Sequence, residues 1–127
     1  MNKAQQQPTG SELEILGILW KFGPSTVRFV NEELNKLRVV GYTTTLKTMQ
    51  IMHEKKLLTR DEQEKSHIYS ALIEENAIQN RLIDKMLDSA FGGSASRLIM
   101  QTLGNHKTSR KEIEEIRKLL DKLDKNE

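Results

Sequence analysis

The chain has 127 residues, 36% hydrophobic and 30% charged, with a net charge of +2 and no cysteine. That length holds one domain, or one small domain plus an assembly element, and the modest apolar content favours burial between chains as a supplement to the core. Without cysteine there is no disulfide framework, Cys-based metal site or thiol chemistry, and His53, His67 and His106 are too scattered to share a metal, so no cofactor is expected. No apolar run approaches the ~20 residues of a membrane span. The start MNKAQQQPTG lacks the apolar core of a signal peptide, so the expectation is a cytoplasmic protein with no membrane insertion.

Residues 1–8 are polar and are expected to be disordered. Thr9 or Ser11 can cap a first helix, with Glu12 and Glu14 in its first turn, where negative charge suits the helix dipole. Leu13, Ile15, Leu16, Leu19 and Trp20 give that helix an apolar stripe. Gly23-Pro24 stops it. Pro24 suits the first turn of a second helix, with Ser25 or Thr26 as cap. Val27, Val30, Leu34 and Leu37 mark that helix's buried face, and Val39-Val40 is a β-prone link placed to pair with a later strand.

A third helix is predicted from Tyr42 to Lys55. Leu46, Met49 and Met52 face the core, with His53 at the edge. The other side presents small hydroxyl residues and a lysine. Such residues near a helix N-terminus reach base edges and phosphates, and Ile51 suits a thymine methyl. Leu57, Leu58, Ile68, Tyr69 and Leu72 then form a hairpin around Glu62-Gln63-Glu64-Lys65-Ser66. A helix running straight into a hairpin is the recognition helix and wing of a winged helix-turn-helix. The predicted DNA contacts are Thr43, Thr44, Thr45, Lys47, Thr48 and Ile51 on the helix and Arg60, Lys65 and His67 on the wing. Within residues 36–60, Lys36, Arg38, Lys47, Lys55, Lys56 and Arg60 face only Glu54 in sequence, which concentrates positive charge on the reading element. Asp61, Glu62 and Glu64 temper the wing, which is expected to position rather than specify.

The second half changes character. Residues 74–91 read as an amphipathic helix with Ile78, Leu82, Met86 and Leu87, closed by Gly92-Gly93. Ser94 to Leu103 is a shorter helix, with a second break expected at Gly104-Asn105. Ser109 with Glu112 is a capping box that opens a last helix. Ile113, Ile116, Leu120 and Leu123 there follow coiled-coil-like 3-4-3 spacing. Three short helices do not easily close a core alone. The alternatives are packing onto the first domain or pairing between chains; a winged helix completes its own small core, which favours a dimer interface built from Leu82, Met86, Leu98, Ile99, Ile113, Ile116, Leu120 and Leu123. The expected class is mainly α with a small β-hairpin: a winged-helix DNA-binding domain at 9–73 and a helical dimerisation region at 74–127.

GSELEILGILWKFGPSTV, GYTTTLKTMQIMHEKKLLTR, the HIYSAL strand and the KEIEEIRKLLDKL tail together resemble the penicillinase-repressor family of bacterial regulators. YTTTLKTM before KKLLTR is the most specific part, and the resemblance spans nearly the whole chain. It implies a homodimeric repressor on an inverted-repeat double-stranded DNA operator. In one branch a membrane sensor protease leads to cleavage at an Asn-Phe pair in the dimerisation region; that pair aligns here with Gln101-Thr102. A copper-responsive branch uses a C-terminal cysteine cluster, which this chain lacks.

Three functional classes stand at this point. A transcriptional repressor is the leading reading. A winged-helix protein–protein interaction module is the alternative, and salt dependence separates the two, because phosphate contacts release counterions. An enzyme is the poorest, since no nucleophile elbow, glycine-rich phosphate loop or metal motif is present.

Overall fold

Side-chain capping sets the start of the first two helices. In the computed structural model, which describes residues 7–62 and 65–126, α1 (Gly10–Phe22) begins with a reciprocal capping box. Thr9 Oγ1 accepts from the Glu12 amide at 3.2 Å, and Glu12 Oε1 accepts from the Thr9 amide at 2.9 Å. The helix closes at Gly23, whose φ of 82° is costly for a residue with a Cβ. Thr26 caps α2 (Val27–Leu34), accepting from the Phe29 amide at 3.1 Å. The expected disorder of residues 1–6 and the hairpin residues Gln63 and Glu64 lie outside the described residues; Pro8 is buried.

Next comes α3 (Tyr42–Glu54). Lys56 then takes a left-handed φ of 66° and turns the chain into the hairpin. Strand β1 (Leu58–Asp61) pairs antiparallel with β2 (Ile68–Ala71), setting Leu58 against Ala71 and Arg60 against Tyr69. A third segment joins the hairpin: Ser25 and Tyr69 exchange backbone hydrogen bonds of 2.9 and 2.8 Å. This corrects the expectation that Val39-Val40 would pair there. Val39 is 96% exposed, and the Val40 carbonyl is already taken by the side-chain amides of Asn31 (3.1 Å) and Asn35 (2.9 Å). Leu37 was expected on the buried face of α2, but that helix stops at Leu34 with Asn35 as its C-cap, leaving Leu37 exposed.

Apolar side chains from all these elements meet in one core. Ile15, Leu16 and Leu19 come from α1, Val27, Val30 and Leu34 from α2, Met49 and Met52 from α3, and Leu57, Leu58 and Tyr69 from the hairpin and its approach. Fully burying such a side chain contributes roughly 1.5–3 kcal/mol. Trp20 Nε1 donates to the Ile73 carbonyl at 3.0 Å, tying α1 to the segment that leaves the hairpin.

The chain divides into two compact units, Met1–Arg81 and Leu82–Glu127, and the division falls within α4 (Glu75–Ala90). Gly92 and Gly93, with φ of 58° and 79°, follow that helix. The second unit continues with α5 (Ala95–Asn105) and α6 (Arg110–Lys125). The break expected at Gly104-Asn105 falls one residue later, at His106. A single glycine costs a helix only ~1 kcal/mol relative to alanine, and Asn105 Nδ2 donates back to the Gln101 carbonyl at 3.0 Å, so α5 runs on to Asn105. The Ser109–Glu112 capping box opens α6 as expected. Neither α5 nor α6 contains a buried residue. The fold is a winged helix with further helices, mainly α with one two-stranded hairpin.

Candidate nucleic-acid interface

Packing of Met49 and Met52 into the core decides which side of α3 meets solvent. Thr43, Thr44, Lys47, Gln50 and Ile51 are exposed on that side, while Leu46 and Thr48 are half-buried. Lys47 makes no ion pair among the described residues. The Thr48 hydroxyl donates to the Thr44 carbonyl at 2.9 Å, which anchors it to its own helix.

Thr45 does not belong to this face. It is 1% exposed, on the core side with Met49 and Met52, following the i, i+4, i+7 helical period. Its Oγ1 accepts from Asn31 Nδ2 at 2.8 Å and donates to the Gly41 carbonyl at 3.3 Å. Asn31 therefore bridges Thr45 and the Val40 carbonyl, and Asn35 brackets Val40 from both sides: its Nδ2 donates to the carbonyl, and its Oδ1 accepts from the amide at 3.2 Å. This network fixes the α2–α3 turn and with it the start of α3. Asn31 on α2 and Asn35 at its C-cap stand one helical turn apart, a spacing that marks one helix face and was passed over in the sequence.

The positive cluster is also less naked than its sequence window implies. Lys55 Nζ sits 2.8 and 3.0 Å from the two carboxylate oxygens of buried Glu12, which joins the start of α1 to the end of α3. Lys36 pairs with Glu33 at 2.8 Å, Arg38 with Glu14, and Arg60 with Glu62. Of the six cations in that window, Lys47 and Lys56 remain without an ion pair among the described residues. Arg60 also donates to the Tyr69 hydroxyl at 3.3 Å. The Arg60 guanidinium draws the Glu62 carboxyl below its ordinary range, and Glu62 in turn raises Arg60 above its own.

A cleft of about 400 Å³ opens beside the exposed face of α3. Thr26, Val27 and Arg28 from the start of α2 form one wall, Tyr42, Leu46 and Gln50 of α3 a second, and Lys65, Ser66, His67 and Tyr69 of the hairpin the third. Lys65 and His67, both expected contacts, therefore line one space with α3. Arg28, Tyr42 and Gln50 were not among the expected contacts. Nothing local in the sequence set Arg28 apart, since Glu32 stands four residues on at ion-pair spacing; its place beside the cleft comes from the fold.

In the second unit, Met86, Ile99, Leu120 and Leu123 are exposed, and Leu82, Leu98, Ile113 and Ile116 are half-buried. Gln101 and Thr102 are exposed within α5, where the Thr102 hydroxyl donates to the Leu98 carbonyl at 2.8 Å. Among the described residues there is no cluster of side chains able to hold a metal ion, and no helix long and apolar enough to cross a membrane.

Residues 8–122 match the family described as penicillinase repressor. Over 125 residues the chain is 24% identical to the penicillinase repressor of Staphylococcus aureus, covering 98% of this chain and 99% of that protein. It is 22% identical over 122 residues to the methicillin resistance regulatory protein MecI of Mammaliicoccus sciuri, covering 96% and 99%. Among solved structures it is similar in fold to a MarR family protein from Bacillus stearothermophilus. That likeness has a TM-score of 0.53 at 19% identity and covers 97% of this chain and 77% of the other.

Proposed function

The chain belongs to the penicillinase repressor family of bacterial DNA-binding transcriptional repressors, which are not enzymes, and from that premise we propose that it acts in the cytoplasm as a homodimer on an inverted-repeat operator. The observation that carries this reading is the solvent face of α3, where Thr43, Thr44, Lys47, Gln50 and Ile51 stand together next to the wing. Hydroxyls, an amide, a methyl-bearing side chain and an unpaired ammonium supply hydrogen bonds to base edges, contact with thymine methyls and attraction to phosphate. Pairing of the apolar faces of α4, α5 and α6 between two chains supports the dimer. It would cover Met86, Ile99, Leu120 and Leu123, which one chain alone leaves exposed.

Release from DNA is proposed to follow cleavage of the Gln101–Thr102 bond by a sensor protease. That bond lies inside α5, so α5 must open locally before a protease can seat it. The cut would separate α6 from the rest of the chain, and a lone winged helix loses the avidity of the pair. Nuclease protection on genomic fragments with the full-length chain tests the proposal. Two protected half-sites centred ~34 Å apart, or a multiple of that, are expected; uniform coating of every fragment would defeat the claim of an operator.

A further inference from the structure

We propose that the cleft between the start of α2, the recognition helix and the wing seats a backbone phosphate of duplex DNA, with Arg28 as its principal cation. The proposal rests on the DNA-binding reading above and adds to it a contact outside the recognition helix and the wing. Arg28 is exposed in the first turn of α2, and its side chain makes no hydrogen bond or ion pair among the described residues. That sets it apart from Lys36, Arg38, Lys55 and Arg60, each of which is held by a carboxylate. No aspartate or glutamate is among the described residues that line the cleft. Arg28 on one wall, Lys65 and His67 on another and the Gln50 amide on the third supply donors from three separate elements around one space.

That donor set suits an anion with several acceptor oxygens. A guanidinium presents its N–H groups as a planar fork that matches phosphate bidentately, which an ammonium does not. A phosphate within a duplex, rather than a free anion, follows from the position of the cleft. Gln50 belongs both to its wall and to the exposed face of α3, so a strand bordering the groove that α3 enters is carried to Arg28. The contact carries no sequence information. Its role is to fix the depth and register at which Thr43, Thr44 and Lys47 meet the bases.

Binding of the full-length chain to a random-sequence duplex, followed from ~50 to ~200 mM salt, tests this without knowledge of the operator, because the phosphate term supplies nearly all non-specific affinity. Arg28→Ala should make the slope of log affinity against log salt shallower by about 0.9, so that the ratio of wild-type to variant affinity is about threefold larger at the low salt than at the high. Arg28→Lys should recover the slope. An unchanged thermal midpoint would establish that the variant is folded; should Arg28→Ala unfold, Arg28→Gln, which keeps the aliphatic stem, carries the same slope test. A steep wild-type slope that Arg28→Ala leaves unaltered overturns the phosphate assignment alone. A wild-type chain that binds no duplex at either salt overturns the DNA reading itself.

Discussion

In the unit Met1–Arg81, Leu16, Val30, Met49 and Met52 are completely sealed from solvent, whereas α5 and α6 of the unit Leu82–Glu127 bury no residue. Both units are built from amphipathic helices, so the difference lies in what covers their apolar faces. In the first, α1, α2, α3 and the hairpin supply one another's partners, the Thr9 and Thr26 hydroxyls accept from the first turns of their helices, and Asn31 donates to Thr45 on α3. In the second, Leu119, Leu120 and Leu123 line one side of α6 and are each more than half exposed. A reading head that must keep one shape closes its own core. A region whose apolar stripes stay open is suited to a second copy of itself.

Breaking the open side should have the largest effect on DNA. Ile116→Asp puts a charge on the stripe of α6, and burying it unpaired in an interface is expensive. Sedimentation should show a monomer, and affinity for a duplex with two half-sites should fall by roughly 10²–10⁴ as avidity is lost. The unfolding transition of the first unit should be unchanged. A variant that stays dimeric would put the interface elsewhere.

Breaking the closed side should act on stability instead. Met49→Ala removes a fully buried side chain and should cost ~2–5 kcal/mol in the unfolding of the first unit. The dimer should persist in sedimentation at temperatures below that transition. Coincident loss of both would mean that the two units do not fold separately.

The smallest effect is expected on the wing, where Glu62 neutralises Arg60. Because the Glu62 carboxyl lies below its usual range, whatever stability the pair contributes is present above the ordinary carboxylate range and is lost only as pH falls through the lowered value. Arg60 is therefore masked at neutral pH. Glu62→Gln should free it, steepening the salt slope of DNA binding by at most about one unit. A titration showing weaker binding by this variant would contradict the masking.

The features legible in the sequence were those written in local spacing. Ser109–Glu112 declares a capping box three residues apart, and Leu46, Met49 and Met52 declare the inner side of α3 before the hairpin begins. Features set by partners far along the chain were not legible. Glu14 reaches Arg38 across 24 positions and Glu12 reaches Lys55 across 43, so a window holding only Glu54 overstates the free charge. Thr45 was grouped by composition with Thr43 and Thr44, although its spacing of four and seven residues to Met49 and Met52 already placed it inward; the hydrogen bond from Asn31 shows what it does there. Arg28 was missed for the converse reason: it stands outside the recognition helix and the wing, and only folding brings it beside Gln50 and Lys65.

The central claim is that the exposed face of α3, carried twice by a dimer, reads a specific sequence. Its most direct test is the affinity of the full-length chain for a duplex holding the nuclease-protected half-sites, measured against a scrambled duplex of the same length and composition at physiological salt. Preference for the half-site duplex by at least ~10³ is expected, with Thr44→Ala shrinking that preference and Lys47→Ala weakening both duplexes alike. Equal affinity for the two duplexes would contradict the account.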